Sequence, residues 1–139
     1  FKFARRGRYL RDQATFQSEA DKFDYAYKIS LAKKAVDIFI KEIQELNYNL
    51  SDITFVLDGD RYSIYAGNES RSSYNKGIFN YIISESLKNN INFLDLHPKF
   101  LSEYKNKKKK FNFSDDYHWN SYGHSFIATQ IEKNNILYN

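Results

Sequence analysis

A short segment near the C-terminus of the sequence carries the residue types best suited to acid–base chemistry. Asp115 and Asp116 stand three and two residues before His118. A carboxylate at this spacing can orient the imidazole, and a histidine, whose ordinary pKa is about 6.5, can then act as a general base near neutral pH. The segment therefore offers two members of a Ser-His-Asp arrangement, and the nucleophile has to come from elsewhere.

The histidines and the tryptophan also have structural interpretations. As an alternative to catalysis, His118 is a surface histidine that hydrogen-bonds a nearby carboxylate. His97 is interpreted as a strand-end or loop residue and His124 as a structural residue at the start of the last helix, while Trp119 either walls the site or packs under that helix. The spacing of the histidines matches no zinc pattern, so no metal site is predicted.

Composition is typical of one globular domain. The 139 residues are enough to bury a core, and 42% hydrophobic and 27% charged residues lie in the globular range. The net charge of +4 comes largely from one run, Lys105 with Lys107 to Lys110, and argues little for a nucleic-acid partner. The sequence has no cysteine, which excludes a cysteine nucleophile, and no apolar run long enough for a membrane span.

Hydrophobic patterns predict helices that alternate with strands. After a mixed segment of loop and short helix over residues 1–27, the predicted elements are a helix over 30–48, a strand over 53–57, a helix over 73–88, a strand over 91–96, a short helix over 99–104 and a final helix capped by Asn120 or Ser121. The first strand is a nearly continuous apolar run and is expected to be buried on both faces. The helix over 30–48 is expected to bury Phe39 and Leu46, and the helix over 73–88 to bury Leu87.

This alternation predicts an α/β fold, a parallel sheet with helices on both faces. Only two strands are predicted, fewer than a stable sheet usually has. Either the N-terminal third contains another strand, or residues outside this chain complete the sheet. In open α/β sheets functional groups gather beyond the carboxyl ends of the strands, which is where the Asp-His segment falls.

Two stretches together form a more specific pattern, residues 91–98 (INFLDLHP) and residues 116–124 (DYHWNSYGH). They resemble the C-terminal part of an SGNH (GDSL-type) hydrolase, in which a final strand leads to a loop with the catalytic Asp and His and then to a closing helix. The resemblance implies a three-layer αβα fold with a parallel sheet (SGNH/flavodoxin-like), with His118 as the general base. Members with Asp-x-x-His would assign Asp115 as the orienting acid. Members with Asp-x-His followed by Trp, as in polysaccharide acetylation, would assign Asp116, which Trp119 favours.

The sequence departs from the family pattern at the nucleophile. No Gly-Asp-Ser tripeptide is present, and the nearest approach, Gly59-Asp60-Arg61, has arginine where serine is needed. Residues 1–139 are therefore interpreted as the C-terminal part of a single SGNH-like domain, with the nucleophile upstream. The alternative is a degenerate, inactive relative.

The resemblance implies a serine esterase or O-acyltransferase that acts on an acylated carbohydrate or a small ester, without metal or cofactor. The alternative is a non-catalytic module that binds a glycan or a partner protein. A nucleic-acid-binding protein is a third, weaker interpretation, and no nucleic acid is expected as partner. The resemblance also favours a location in the cell envelope, outside the cytoplasm.

Overall fold

The computed structural model describes the backbone of residues 19–134 and the side chains of residues 24–134, so the prediction for residues 1–18 lies outside the described part. The described elements are helix α1 (Glu19–Glu45), a 3-10 turn (Leu50–Asp52), strand β1 (Thr54–Leu57), helix α2 (Arg61–Tyr65), helix α3 (Ser73–Lys88), strand β2 (Asn92–Asp95), helix α4 (His97–Lys107) and helix α5 (Ser121–Lys133). The protein is mixed α/β and mostly helical in this range.

The predicted elements are confirmed with shifts at their ends. Helix α3 has the predicted bounds, and α5 begins at Ser121 after Asn120, whose side chain accepts the Gly123 N–H at 2.9 Å. Helix α1 begins earlier than predicted, at Glu19, so residues 19–27 belong to this long helix and not to the predicted mixture of loop and short helix. The extra turns are stabilised locally by an ion pair between Asp24 and Lys28 at 2.6 Å, one turn apart.

Helix α4 is also longer than predicted. It begins at His97 with Pro98 in its first turn, where the missing backbone N–H of proline costs no hydrogen bond. It ends at Lys107, and the following Lys108 adopts the left-handed conformation with φ of 54° and donates its N–H to the Tyr104 carbonyl oxygen.

The two strands form a parallel pair. Thr54 stands opposite Asn92 and Leu57 opposite Asp95, so the carboxyl ends of both strands lie at the same edge. Leu94 points into a buried cluster with residues of α4, α5 and the segment between them, Phe100, Ile127 and Phe111. Side chains alternate along a strand, so Phe55 and Phe93 lie on the opposite face. There the Phe39 ring of α1 lies 5.8 Å from Phe55, and α3 packs beside α1.

Several burial predictions were wrong. Val56 is 38% exposed, so β1 is covered on one face but open near Val56 on the other. Phe39 and Leu46 are 54% and 66% exposed because α1 turns Ile40 and Ile43 toward the neighbouring elements instead. Leu87 is 68% exposed. Its neighbour Ser86 takes the buried position at the end of α3 and accepts the Ile91 N–H on its backbone oxygen.

Two glycines permit close approach between segments near the ends of the strands. A Cβ at Gly59 would come within 2.6 Å of the Phe100 ring. Helix α4 can therefore approach the turn that follows β1 only because residue 59 has no side chain. A Cβ at Gly123 would overlap the carbonyl oxygen of Phe111. The first turn of α5 is thus held directly against the backbone of the preceding loop.

We expect Gly123→Ala to lower the free energy of unfolding by about 1–3 kcal/mol, since the added methyl group meets backbone that cannot move aside cheaply. Urea unfolding followed by circular dichroism measures the change. Gly77→Ala is the matched control. Its Cβ would make only ordinary van der Waals contact with Ile29, and alanine favours the helix over glycine by about 1 kcal/mol. Equal destabilisation by both substitutions would contradict the proposed close approach.

Candidate functional site

The Asp-His segment forms a hydrogen-bonded pair at the surface. His118 Nδ1 lies 2.6 Å from Asp116 Oδ1, and the same oxygen accepts the His118 backbone N–H at 3.0 Å. A neutral imidazole that donates from Nδ1 has its lone pair on Nε2. Because 86% of the His118 side chain is exposed, that nitrogen is open to an incoming proton donor. The arrangement can serve as an oriented general base.

The structure pairs the histidine with one of the two candidate acids. Asp115 is exposed and makes no hydrogen bond to His118, whereas Asp116 makes two. The bond from the His118 backbone N–H is the main cause that lowers the pKa of Asp116 below its ordinary value, and the imidazole adds to it. Asp116 is therefore ionised at neutral pH, as a carboxylate that orients an imidazole has to be.

Asn120 fixes the ends of the loop that carries this pair. Its side-chain amide donates to the carbonyl oxygens of Lys110 and Asn112 at 3.1 and 2.9 Å, while its side-chain oxygen caps α5. Asn112 also forms an antiparallel bridge with Trp119. The loop from residue 111 to residue 120 is thus closed at its base by one asparagine, and the Asp-His pair lies near its tip.

Tyr117, between Asp116 and His118, connects the loop to α2, the helix that follows the turn after β1. Its ring packs edge-on against Tyr62 of α2, with ring centroids 4.9 Å apart. The two rings remain 42% and 38% exposed. The Asp-His pair therefore lies beside the carboxyl end of β1 and next to a partly open aromatic surface.

Asp58 is a second carboxylate at this end of the sheet. Burial raises the pKa of Asp58 above its ordinary value, against the opposing influence of the Arg61 guanidinium and the Gly59 N–H. Arg61 lies 3.1 Å from Asp58, and the buried indole N–H of Trp119 makes no hydrogen bond within normal geometry. Asp58 was not among the site residues predicted from the sequence. Its position directly after a buried strand was the available signal.

Asp60 holds the floor of the site together. It is 5% exposed, and its carboxylate accepts the backbone N–H groups of Ser63 and Ser72 and the side-chain amide of Asn75. Burial alone would raise the pKa of Asp60, but these three bonds outweigh it and lower the pKa below its ordinary value. One ionised carboxylate thereby caps α2 and fixes the start of α3.

His97 is a structural residue of the same floor. Its Nδ1 accepts the Asp60 backbone N–H at 3.1 Å, and its Nε2 lies 2.9 Å from the Glu69 carbonyl oxygen, to which it donates as a neutral imidazole. The residue is buried at the first position of α4. Both ring nitrogens are occupied, so His97 is not available for acid–base chemistry.

Arg71 fixes the end of β2 in a comparable way. Its guanidinium binds both oxygens of Asp95, at 2.9 and 2.5 Å, donates to the Asp58 carbonyl oxygen and stacks over the Phe79 ring at 4.3 Å. Burial would raise the pKa of Asp95, but the bonds from Arg71 and the His97 N–H lower it. These contacts occupy both terminal nitrogens of the Arg71 guanidinium, so Arg71 contributes to the frame of the site.

The structure brings Asp116 and His118 together and leaves the nucleophile unassigned. Among residues 24–134 no serine hydroxyl bonds to His118, and the nearby Ser63 is buried at 3% exposure within α2. His124 lies apart, with its ring edge-on to Trp119 at 5.5 Å. Over the same residues no group of three His, Cys, Asp or Glu side chains is arranged to hold a metal ion. None of the helices that the structure describes has the length and apolar character needed to cross a bilayer.

Comparisons with protein-family models, with curated proteins and with solved structures gave no match for this chain.

We expect Asp60→Asn to lower the free energy of unfolding at pH 7 by about 1–3 kcal/mol, because an amide places a donor against the donors that Asp60 satisfies. The pKa of Asp60 is lower in the folded than in the unfolded protein. Its stabilisation is therefore complete well above the unfolded pKa of about 3.9 and disappears as the pH falls through the folded value.

Urea unfolding of the wild type and the variant at pH 7, 5 and 3 measures this linkage. The difference between the two should be largest at pH 7 and smallest at pH 3. Asp115→Asn, at an exposed position without hydrogen bonds, is the control and should match the wild type at pH 7. If the difference in free energy of unfolding between the wild type and Asp60→Asn does not change with pH, the ionised carboxylate is not the source of the stabilisation.

Proposed function

We propose that this chain is part of an SGNH-type serine esterase or O-acyltransferase that acts on an acylated carbohydrate or a small ester. The hydrogen bond of 2.6 Å between His118 Nδ1 and Asp116 Oδ1 is the observation that carries the proposal. It provides an oriented, solvent-accessible base beside the carboxyl ends of parallel strands, the edge at which α/β enzymes place their sites. The proposed domain is a three-layer αβα fold, of which this chain supplies the C-terminal part.

In the proposed reaction, a serine from outside these 139 residues transfers its hydroxyl proton to His118 Nε2 while its oxygen attacks the acyl carbonyl carbon. The tetrahedral intermediate collapses as His118 returns the proton to the departing alkoxide, which leaves as an alcohol. Water or a sugar hydroxyl then attacks the acyl-enzyme and gives up its proton to the same nitrogen, and the serine recovers a proton as the acyl group leaves. Asp116 stabilises the imidazolium that forms in each half of the cycle.

The exposed aromatic surface next to the base supports a carbohydrate substrate. Tyr117 stands between Asp116 and His118 in the chain, and Tyr62 packs against its ring. Both residues are partly exposed. Ligand sites combine such apolar aromatic surface with a few oriented polar groups. Tyrosine supplies both, since its ring packs on the apolar side of a sugar and its hydroxyl forms hydrogen bonds.

We expect His118→Ala to lower kcat/KM of the intact polypeptide by a factor of roughly 100 to 10,000, because the serine loses its base. Asp116→Asn should also lower kcat/KM, since an amide no longer holds the imidazole in the required tautomer. Asp115→Asn, one residue away and without a bond to the imidazole, is the matched control and should leave kcat/KM unchanged. Hydrolysis of 4-nitrophenyl acetate and acetyl release from acetylated xylan are the two assays.

Fluorophosphonate labelling with peptide mapping tests the nucleophile in the same proteins. A labelled serine in the wild type that is lost in His118→Ala, with an unchanged circular dichroism spectrum, would support the triad. Full activity of His118→Ala would exclude His118 from the mechanism. Absence of both labelling and turnover in the wild type would favour the non-catalytic alternative, a module that binds a glycan or a protein.

A further inference from the structure

We propose that the free edge of β1 is occupied by a third β-strand, parallel to β1, that precedes α1 in the polypeptide. Within the described residues β1 pairs only with β2. Parallel strands are found almost always in larger sheets that are covered on both faces, and a two-stranded parallel pair is exceptional. This inference rests on the geometry of the sheet and does not depend on the proposed reaction.

The backbone of β1 leaves hydrogen-bonding groups for such a strand. Ile53 and Leu57 accept bonds from the β2 side, at 3.0 Å from the Asn92 N–H and 2.9 Å from the Leu96 N–H. In a parallel pair, alternate residues direct their N–H and C=O groups to opposite neighbours. Thr54 and Val56 therefore direct theirs away from β2, to the open side.

The sequence of β1 is that of an interior strand. Natural edge strands are protected from pairing by lysine, proline, a bulge or inward-pointing charge. The four residues of β1, Thr-Phe-Val-Leu, contain none of these. Val56 leaves 38% of its surface in solvent although its register partner Leu94 is 6% exposed. The cover over β2 thus stops short of the outer side of β1.

Helix α1 extends an uncovered apolar flank over the same edge. Its residues Asp37 and Gln44 bond Tyr81 of α3 and Asn89 directly after α3, so they mark the flank toward α3. The residues two positions further along are Phe39 and Leu46, the second of which directly follows α1 and continues its last turn through a bond from its N–H to the Glu42 carbonyl oxygen. Each lies about 200° further around the helix, on the flank that faces away from α3. These two side chains are 54% and 66% exposed.

The handedness of crossovers places the missing strand on this side. Helix α3 belongs to the crossover from β1 to β2, and α1 lies next to α3 on the face marked by Phe55. Parallel β-helix-β connections are right-handed in about 98% of cases, so crossovers with helices on the same face advance in the same direction. A strand that reaches β1 through α1 therefore lies on the side of β1 opposite to β2, which is the free edge.

Such a strand has a consequence for the site. Because it runs parallel to β1, its carboxyl end comes to the same edge of the sheet as Asp58 and the Asp-His loop. Residues that follow the strand would then border the aromatic surface of Tyr62 and Tyr117.

Cysteine labelling of the intact polypeptide tests the proposal. Leu46→Cys and Leu87→Cys form a matched pair, because both are leucines near helix ends and are 66% and 68% exposed. We expect maleimide to modify Leu46→Cys at least about tenfold more slowly than Leu87→Cys, because the third strand covers the first position and leaves the second open. Peptide mapping by mass spectrometry assigns each modification. Equal labelling rates would overturn the proposal.

Amide hydrogen exchange provides a second measurement that needs no substitution. Val56 donates toward the free edge and Leu57 toward β2. If the third strand is present, both amides should exchange with similar protection. Rapid exchange at Val56 beside a protected Leu57 would show an open edge and would overturn the proposal. Neither measurement involves turnover, so failure of the reaction and failure of the strand are distinguishable.

Discussion

The buried carboxylate of Asp60 is the interaction on which the rest of this end of the sheet depends. Three donors, from α2 and from the start of α3, converge on this carboxylate. The backbone N–H of Asp60 donates to the ring of His97 at the start of α4. Burial opposes its charge, so these bonds have to be present together for the ionised form to be stable. Removal of one donor makes the ionised carboxylate less stable, which weakens its hydrogen bonds to the remaining donors. The turn after β1 is for this reason a cooperative unit.

Above this floor the candidate site has a different mechanical character. The Asp-His pair is exposed and is connected to the floor mainly through the contact between Tyr117 and Tyr62 and through the closure of the loop by Asn120. In the frame the carboxylate of Asp60 and both ring nitrogens of His97 are buried and paired, whereas the loop above it relies mainly on surface contacts. Elements with many buried, paired groups open less readily than exposed loops, so we expect more freedom of movement in the loop than in the frame.

The sequence was informative wherever structure follows from nearby residues. The periodic apolar residues of α3 and the carboxylate two positions before His118 are local patterns, and both were predicted. Asp60 was missed because, apart from Ser63, its partners lie 12 to 37 residues away, beyond the reach of a local pattern. The exposure of Phe39 and Val56 was missed for another reason. A hydrophobic pattern reports which side chains avoid water, but it does not say which other segment covers them.

The two hydrogen bonds that Asp116 accepts from His118 have a consequence for how this surface can vary. One carboxylate oxygen grips both the peptide nitrogen and the ring nitrogen of the same residue, so a tripeptide alone encodes the tilt of the imidazole. The acid and the base therefore travel as one body when the surrounding segment shifts. Insertions or deletions on either side of this tripeptide would reposition the pair relative to its surroundings and leave its internal alignment unchanged. Evolution can thus change the surroundings of this imidazole without changing how Asp116 orients it.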